Sequence, residues 1–463
     1  MKNMKFKYFL LILLLTGQLY VTGQDNVTSL RLDSLTLENT LDYVRRNSAD
    51  LTIQNLKRRQ DETELSRLQS SKIPDIYLSG DVRRNIIIPA TPIPASMINP
   101  SADPSQMIYM KFNTDWNSGA GINFSYDIFN PLTFRQTAEQ RQLNKVNSYD
   151  SQISEKDLVS EVSQAYAGCV ISLAQLESLS TDTAFYYNSM AEADGLYKKE
   201  KITRTEKNNT VIAYNNSKMQ YMQAVRVLYE AKTNLLNVIG VEVNEKNIAA
   251  LHLSEDIRTL YSKIIDSDPD IGIAGSVTGL TGKSPGLLKQ NEMVLLAESR
   301  VKSARLKYLP SVSVNGFYGA NYYDNNLRLS DRSLWHGNSY LGISLRIPLT
   351  QAFTTGREVS HYKLQEQIEK AGLQKMQNQK EKEIADARGR LDTYKLEYEM
   401  ALENYDLSKQ NLTSSEAGFE KGYLLEKDLL SVQLQCRNAL QNLLQSAYNV
   451  FISATELQKA EED

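Results

Sequence analysis

The chain has 463 residues, a formal net charge of −3 at pH 7 and a charged fraction of 23%. That near balance excludes the basic excess of a nucleic-acid binder, and 2 cysteines are too few for a fold stapled by disulfides. No stretch after Thr22 supplies the roughly 18 uninterrupted apolar residues of a membrane-crossing helix.

At the N-terminus Lys2, Lys5 and Lys7 precede the apolar run Tyr8 to Leu15, followed by Gly17 and Gly23. This is the order of a secretory signal, residues 1–23, with cleavage expected before Gln24. No cysteine sits at that point, so a lipid-anchored N-terminus is not expected. Leu35 to Lys72 has helical character and stops at Pro74. Asp75 to Ile88 then alternates, with Ile76, Leu78, Val82 and Ile86 on one side and Tyr77, Ser79, Asp81, Arg83 and Asn85 on the other; Arg84 interrupts the apolar side once. Pro89 to Asn117, rich in Pro, Ser, Asn and Met, reads as an exposed loop. A second strand follows, with Ala120, Ile122, Phe124, Tyr126 and Ile128 on one face.

After Pro131 a long helix is expected to about Ala193, with an apolar seam at Val162, Tyr166, Cys169, Leu173 and Leu176. Gly195 and the run Lys198–Lys201 read as the tip of a helical hairpin. The return helix ends at Gly240, a natural C-cap.

The plan then repeats. Leu287 to Tyr308 is helical and stops at Leu309-Pro310. Val312, Val314, Tyr318, Ala320 and Tyr322 alternate with polar residues, a loop spans Tyr323 to Asn338, and Leu341, Ile343, Leu345 and Ile347 alternate again. The longest helix is expected from about Thr354 to about Ala417, roughly 95 Å at ~1.5 Å per residue. Its heptad runs through Ile384, Ala387, Leu391, Tyr394, Tyr398, Ala401, Tyr405 and Leu412. Gly418 and Gly422 mark a turn, and a second heptad returns through Cys436, Leu440, Leu443, Ala447, Val450, Ala454 and Leu457. A helical hairpin with its tip near Phe419–Leu425 follows. Both cysteines fall at apolar helical positions and read as packing residues, with a single bridge as the alternative.

Pro310 follows Pro74 by 236 residues, Gly342 follows Gly121 by 221, and Phe419 follows Tyr197 by 222. The steady offset argues for duplication. The expected division is a first repeat at 24–240, a linker at 241–282 and a second repeat at 283–463. Two hairpins with one apolar and one polar face are the signature of a transmembrane β-barrel wall. Four strands cannot close a barrel, and an open edge cannot lie in lipid, so several chains must contribute. Trp116 and Trp335 stand just before the second strand of each repeat, where an interfacial aromatic girdle is expected.

Certain stretches resemble the TolC-like outer-membrane efflux protein family. They are Leu309-Pro310 before a strand, Gly342 to Leu349 leading through Gly356-Arg357 into a helix, and Phe419-Glu420-Lys421-Gly422 followed by Asp428. In the first repeat Tyr197, Ile202 and Leu236 to Gly240 fit the same pattern, and the resemblance covers nearly all of 35–460. It implies a homotrimer in the outer-membrane lipid, with twelve strands in one shared barrel and twelve helices lining a periplasmic tunnel. It also implies two partners: a periplasmic adaptor and an inner-membrane pump, of RND or ABC type. The adaptor would dock on the hairpin tips, Tyr197, Lys199, Lys201 and Ile202 on the first and Phe419, Gly422, Tyr423 and Leu424 on the second. Acidic residues past the second tip constrict the entrance in the family. Asp428 matches the first of these, Ser431 stands at the second, and Glu206 holds the equivalent place in the first repeat. A carboxylate ring would favour cations; a solvated helix face is the other reading of Asp428 and Glu206. The first tip departs from the pattern, with Glu200 where the second has Gly422.

Catalytic readings find no support. His252, His336 and His361 are far apart, and neither an HExxH motif nor a Cys/His metal spacing occurs. Gly279 to Ser284 lacks the leading glycine of a phosphate loop, with Val277 in its place, and Asp266 to Asp270 lacks the later residues of a calcium loop. No enzyme activity and no cofactor are expected. The alternative to a membrane duct is a soluble periplasmic coiled-coil adaptor, which accounts for the helical hairpins but not for the duplicated amphipathic strands.

Overall fold

A computed structural model describes residues 30–103, 105–260, 262, 284–424 and 426–462. The signal segment and both candidate loops at 266–284 lie outside these residues, apart from Ser284. In chain order the elements are helices α1 (Leu37–Asn47) and α2 (Ala49–Ser70), strands β1 (Asp75–Arg84), β2 (Thr91–Pro94), β3 (Met107–Met110) and β4 (Trp116–Phe129), helices α3 (Pro131–Lys198), α4 (Arg204–Val238), α5 (Glu245–Ala250) and α6 (Pro285–Leu306), strands β5 (Ser311–Asp324) and β6 (Trp335–Arg346), and helices α7 (Gln351–Glu420) and α8 (Glu426–Glu462). The elements run parallel between the repeats. Helices α2 and α6 have 22 residues each, α3 has 68 against 70 in α7, and α4 has 35 against 37 in α8.

Two departures from the expected elements have local causes. The first helix is broken at Ser48, where the backbone turns extended, so α1 and α2 replace one helix. The expected loop after β1 contains a small hairpin in which Ile93 faces Ile108 and Pro92 faces Tyr109. Pro92 and Pro94 hid it, since proline reads as a strand breaker although it is tolerated on an edge.

The chain forms two compact units. In one (described residues 50–160, 284–402 and 449–462), β1, β4, β5 and β6 make an antiparallel sheet in the order β1-β4-β5-β6. The two hairpins join along β4 and β5, where Ile122 faces Tyr318 and Ser125 faces Asn315. Register puts Leu78, Ile122, Tyr318 and Leu341 on the same side as Ile76, Ile343 and Leu345. That side is bare: Leu78, Leu341 and Ile343 are 81%, 77% and 75% exposed. The other side carries a hydrogen-bonded polar ladder, in which Asn123 Nδ2 donates to Ser79 Oγ (2.7 Å), Ser125 Oγ to Asn315 Oδ1 (3.2 Å) and Asn315 Nδ2 to Ser344 Oγ (3.0 Å). Phe317 also lies on this polar side, stacked on Tyr340 with ring centroids 6.2 Å apart. Room for it comes from facing glycines: a Cβ on Gly121 would stand 2.7 Å from the Phe317 ring, and one on Gly319 2.3 Å from the Ala120 carbonyl. Strands β1 and β6 are unpaired outer edges among the described residues. In the helical part of this unit Ile384, Ala387 and Leu391 are buried, and Arg388 pairs with Glu461 at 2.6 Å.

The other unit (described residues 30–49, 161–260 and 403–448) is built on the first seam. Val162, Tyr166 and Cys169 are fully buried. Around Tyr166 the segment just before α1 and the segment after α5 close on each other. Leu35 pairs with Leu253 in a parallel bridge, the Leu35 amide donates to the His252 carbonyl (2.9 Å), and the Tyr166 hydroxyl donates to Leu35 O (2.9 Å) and Glu255 Oε2 (3.0 Å). Burial first, then the Glu255 charge, raises the Tyr166 hydroxyl well above its ordinary range, and burial pushes the Cys169 thiol up to about 11. Both cysteines are buried and free, as packing residues would be.

Candidate functional site: the hairpin tips and the sheet ends

Helices α3 and α7 both end in a six-residue turn with two backbone bonds. At the first tip the Lys201 amide donates to Leu196 O and the Glu200 amide to Tyr197 O, each at 2.9 Å; at the second the Tyr423 amide donates to Gly418 O and the Gly422 amide to Phe419 O, each at 2.9 Å. This is the Schellman arrangement, which needs one residue in the left-handed region. Gly422 supplies it with φ +76°, and Glu200 supplies it with φ 55°. The substitution of Gly by Glu therefore leaves the turn unchanged.

Side chains make the difference between the tips. At the first, Asp194 pairs with Lys198 (2.7 Å) on its own helix and with Lys207 (2.6 Å) on α4, and Lys207 also sits 5.1 Å over the Tyr197 ring. Hydrogen bonds from Lys198 and then Lys207 pull the Asp194 carboxyl down to about 2. Lys199 and Lys201 are exposed, Tyr197 is partly exposed and Ile202 is half-buried. At the second tip Tyr423 is 83% exposed, Gly422 is open to solvent, and Phe419 and Leu424 are half-buried.

The return helices start alike. Glu206 and Asp428 are each the third residue of their helix. Glu206 is engaged there: Thr203 caps α4, its Oγ1 accepting the Glu206 amide (3.2 Å), while Glu206 Oε2 accepts the Thr203 amide (2.7 Å) and hydroxyl (2.9 Å). The Thr203 amide bond lowers the Glu206 carboxyl. The signal was present in the sequence, because Thr-x-x-Glu ahead of a helix is the capping-box pattern. Asp428 and Ser431 are exposed on the first turns of α8. Deeper in the same unit, Arg437 Nε stands 3.7 Å from Asp182 Oδ2, and burial raises the Asp182 carboxyl against the pull of Arg437.

At one end of the sheet Trp116 and Trp335 are the first residues of β4 and β6, inside the strands rather than before them. Arg84, the interruption on the apolar side, faces Trp116 in register and lies 5.6 Å from its ring. Cation–π attraction accounts for a charge at that place. Trp335 packs on Tyr322 at 5.6 Å and donates Nε1–H to Leu329 O at 2.9 Å. Of the histidines, His336 stacks on Tyr323 and His361 meets Tyr362 edge-on, while His252 takes part through its backbone.

Two long helical hairpins joined to a one-sided four-stranded sheet make up the fold of the TolC-like outer-membrane channels. The chain is similar to the CmeC outer membrane channel of Campylobacter jejuni, with a TM-score of 0.72 and 16% identity over 92% of this chain and 85% of that one. It is likewise similar to the outer membrane protein VceC of Vibrio cholerae (TM-score 0.70, 13% identity, 92% and 96% covered) and to the MtrE outer membrane channel of Neisseria gonorrhoeae (TM-score 0.68, 14% identity, 92% and 88% covered). No family model and no curated protein matches the sequence. What is shared at these identities is the fold.

Proposed function

We propose that the protein is an outer-membrane channel: a passive, homotrimeric exit duct of a tripartite efflux or type I secretion system. The sheet carries this reading. It has one bare apolar face, one hydrogen-bonded polar face and two edges unpaired among the described residues. Such a sheet suits lipid only as part of a closed barrel, because no edge can stay unpaired in hydrocarbon. Three copies would close it with twelve strands, apolar side outward, and Trp116 and Trp335 would sit at the interface. The hairpin tips then dock a periplasmic adaptor that couples the duct to an inner-membrane pump of RND or ABC type. Asp428, with Ser431 one turn on, faces the narrow entrance. Glu206 contributes less there, because Thr203 already holds its carboxylate.

The test is single-channel conductance of detergent-purified protein in a planar bilayer, with oligomer mass measured alongside. A trimer giving discrete, cation-preferring openings is the expected result. A soluble monomer without conductance would overturn the reading in favour of a periplasmic adaptor. Asp428→Ala is expected to raise conductance or reduce cation preference; unchanged values would remove Asp428 from the entrance.

A further inference from the structure

The sheet-bearing unit contains a cavity of about 290 Å³ at the end of the sheet away from the two tryptophans, where strands give way to helices. Several stretches the sequence singled out line it, among them Leu309 and the Arg346 to Pro348 corner. Its wall is chemically one-sided. Arg135, Lys307 and Arg346 line it, and no carboxylate does. The apolar part of the wall is Leu132, Leu306 and Leu309.

These cations differ in how far they are already satisfied. Lys307 is held by Glu358, from outside the lining. Arg135 is ion-paired with Glu139 through its buried Nε, 3.7 Å from Oε1 and without a hydrogen bond. Arg346 is exposed at the last position of β6, opposite Ser311 in register, and makes no ion pair among the described residues. The Arg346 guanidinium, held by no carboxylate among the described residues, can take a bound oxyanion through charge-assisted hydrogen bonds. The first residues of the two longest helices, Pro131 of α3 and Gln351 of α7, also line the cavity. Their positive dipole ends add to the same field. The volume is near the lower end of small-ligand sites, about 300–1,000 Å³.

We propose that this cavity binds an anionic amphiphile. A phosphate, sulfate or carboxylate headgroup would lie between Arg135 and Arg346, and the first carbons of the tail against Leu132, Leu306 and Leu309. Arginine suits this role, since its planar fork matches such oxyanions two bonds at a time. The same chemistry fits a membrane phospholipid and a small amphiphile passing through. The site does not depend on the duct reading, because binding can be measured without transport.

The full-length protein in dodecyl maltoside is incubated with dodecyl phosphate or dodecyltrimethylammonium, and retained adducts are counted by native mass spectrometry. Dodecyl phosphate occupancy should exceed that of the cation by roughly tenfold, and Arg135→Gln with Arg346→Gln should abolish the difference. Arg346→Lys should retain only part of it, since the charge stays and the two-bond fork is lost. Arg346 is exposed and unpaired, so Arg346→Gln alone tests the site without risk to folding, and it should lower occupancy severalfold. Equal retention of both headgroups, or occupancy unchanged in the double variant, would overturn the proposal. A parallel arm with phosphatidylglycerol separates the sources: charge-dependent retention of both phosphates assigns a lipid site, and retention of dodecyl phosphate alone assigns a single-chain ligand.

Discussion

The two hairpin tips solve one problem in two ways. Both close a helix of about the same length with the same pair of backbone bonds and one left-handed residue. The second tip uses Gly422, which has no Cβ to crowd, and leaves Tyr423 projecting into solvent. The first puts Glu200 in that place and surrounds the turn with fixed side chains: Asp194 bridging Lys198 and Lys207, Lys207 over Tyr197, and the Thr203–Glu206 box. The fold dictates the backbone, and the sequence decides whether a permissive residue or a set of cross-links holds it there. The tips also differ in charge balance, with Lys199, Lys201 and Arg204 exposed beside Glu200 and Glu206 on the first, and Glu420 and Asp428 exposed beside Lys421 on the second. A partner that docks on both must present two surfaces.

Four changes test that contrast. Gly422→Val is expected to be the most disruptive, since a β-branched residue at φ +76° costs about 2 kcal/mol. Hydrogen exchange should show faster opening at Lys421 to Leu424 with the first tip unaffected, and equal protection in the variant would mean that the turn is not held by its backbone angle. Thr203→Ala removes the cap of α4 and should loosen the start of that helix by about 1 kcal/mol, read from the same amides. Glu200→Gly acts in the opposite sense. It relieves left-handed strain of about 1–2 kcal/mol but adds about 0.5–1 kcal/mol of unfolded-state freedom, so a small net gain in protection is expected. The last change is in pH. The Asp194 carboxyl is depressed in the folded protein to about 2 from its ordinary value of 3.8. Its stabilisation is therefore present above pH ~4 and is lost as pH falls towards 2. Solvent screening keeps the effect modest at this exposed site. Protection at the first tip should decline in that window, Asp194→Asn should flatten the decline, and the second tip should lack the component altogether.

Much of this was legible beforehand because the periods are long and clean. Alternation over β4, β5 and β6 gave the two faces, and a glycine at Gly422 and a charged run at Lys198 to Lys201 gave the two turns. Less legible were features set by partners distant in sequence. Nothing local marks Leu35 as the neighbour of Leu253, or Phe317 as an aromatic on the polar side beside Gly121 and Gly319. Strands β4 and β6 begin two and four residues earlier than expected, at Trp116 and Trp335, because a bulky residue beginning a strand looks like the loop before it. The cavity at the end of the sheet was hidden because its lining comes from distant parts of the chain. Arg135 in α3, Lys307 just after α6 and Arg346 at the end of β6 are far apart in sequence and meet only when the fold is assembled.

The seam between β4 and β5 is expected to form last in folding. Its Ser125–Asn315 bond joins residues 190 positions apart, whereas helix bonds span four. Closing so long a loop is slow, and its entropy must be met before any strand contact repays it. Helices α3 and α7 should therefore gain protection first and the seam last, an order that pulse-labelled hydrogen exchange during refolding can read. Until the seam closes, the apolar residues of β4 and β5 lie on separate hairpins. The bare apolar face is therefore assembled in two halves, and only the last pairing makes it continuous.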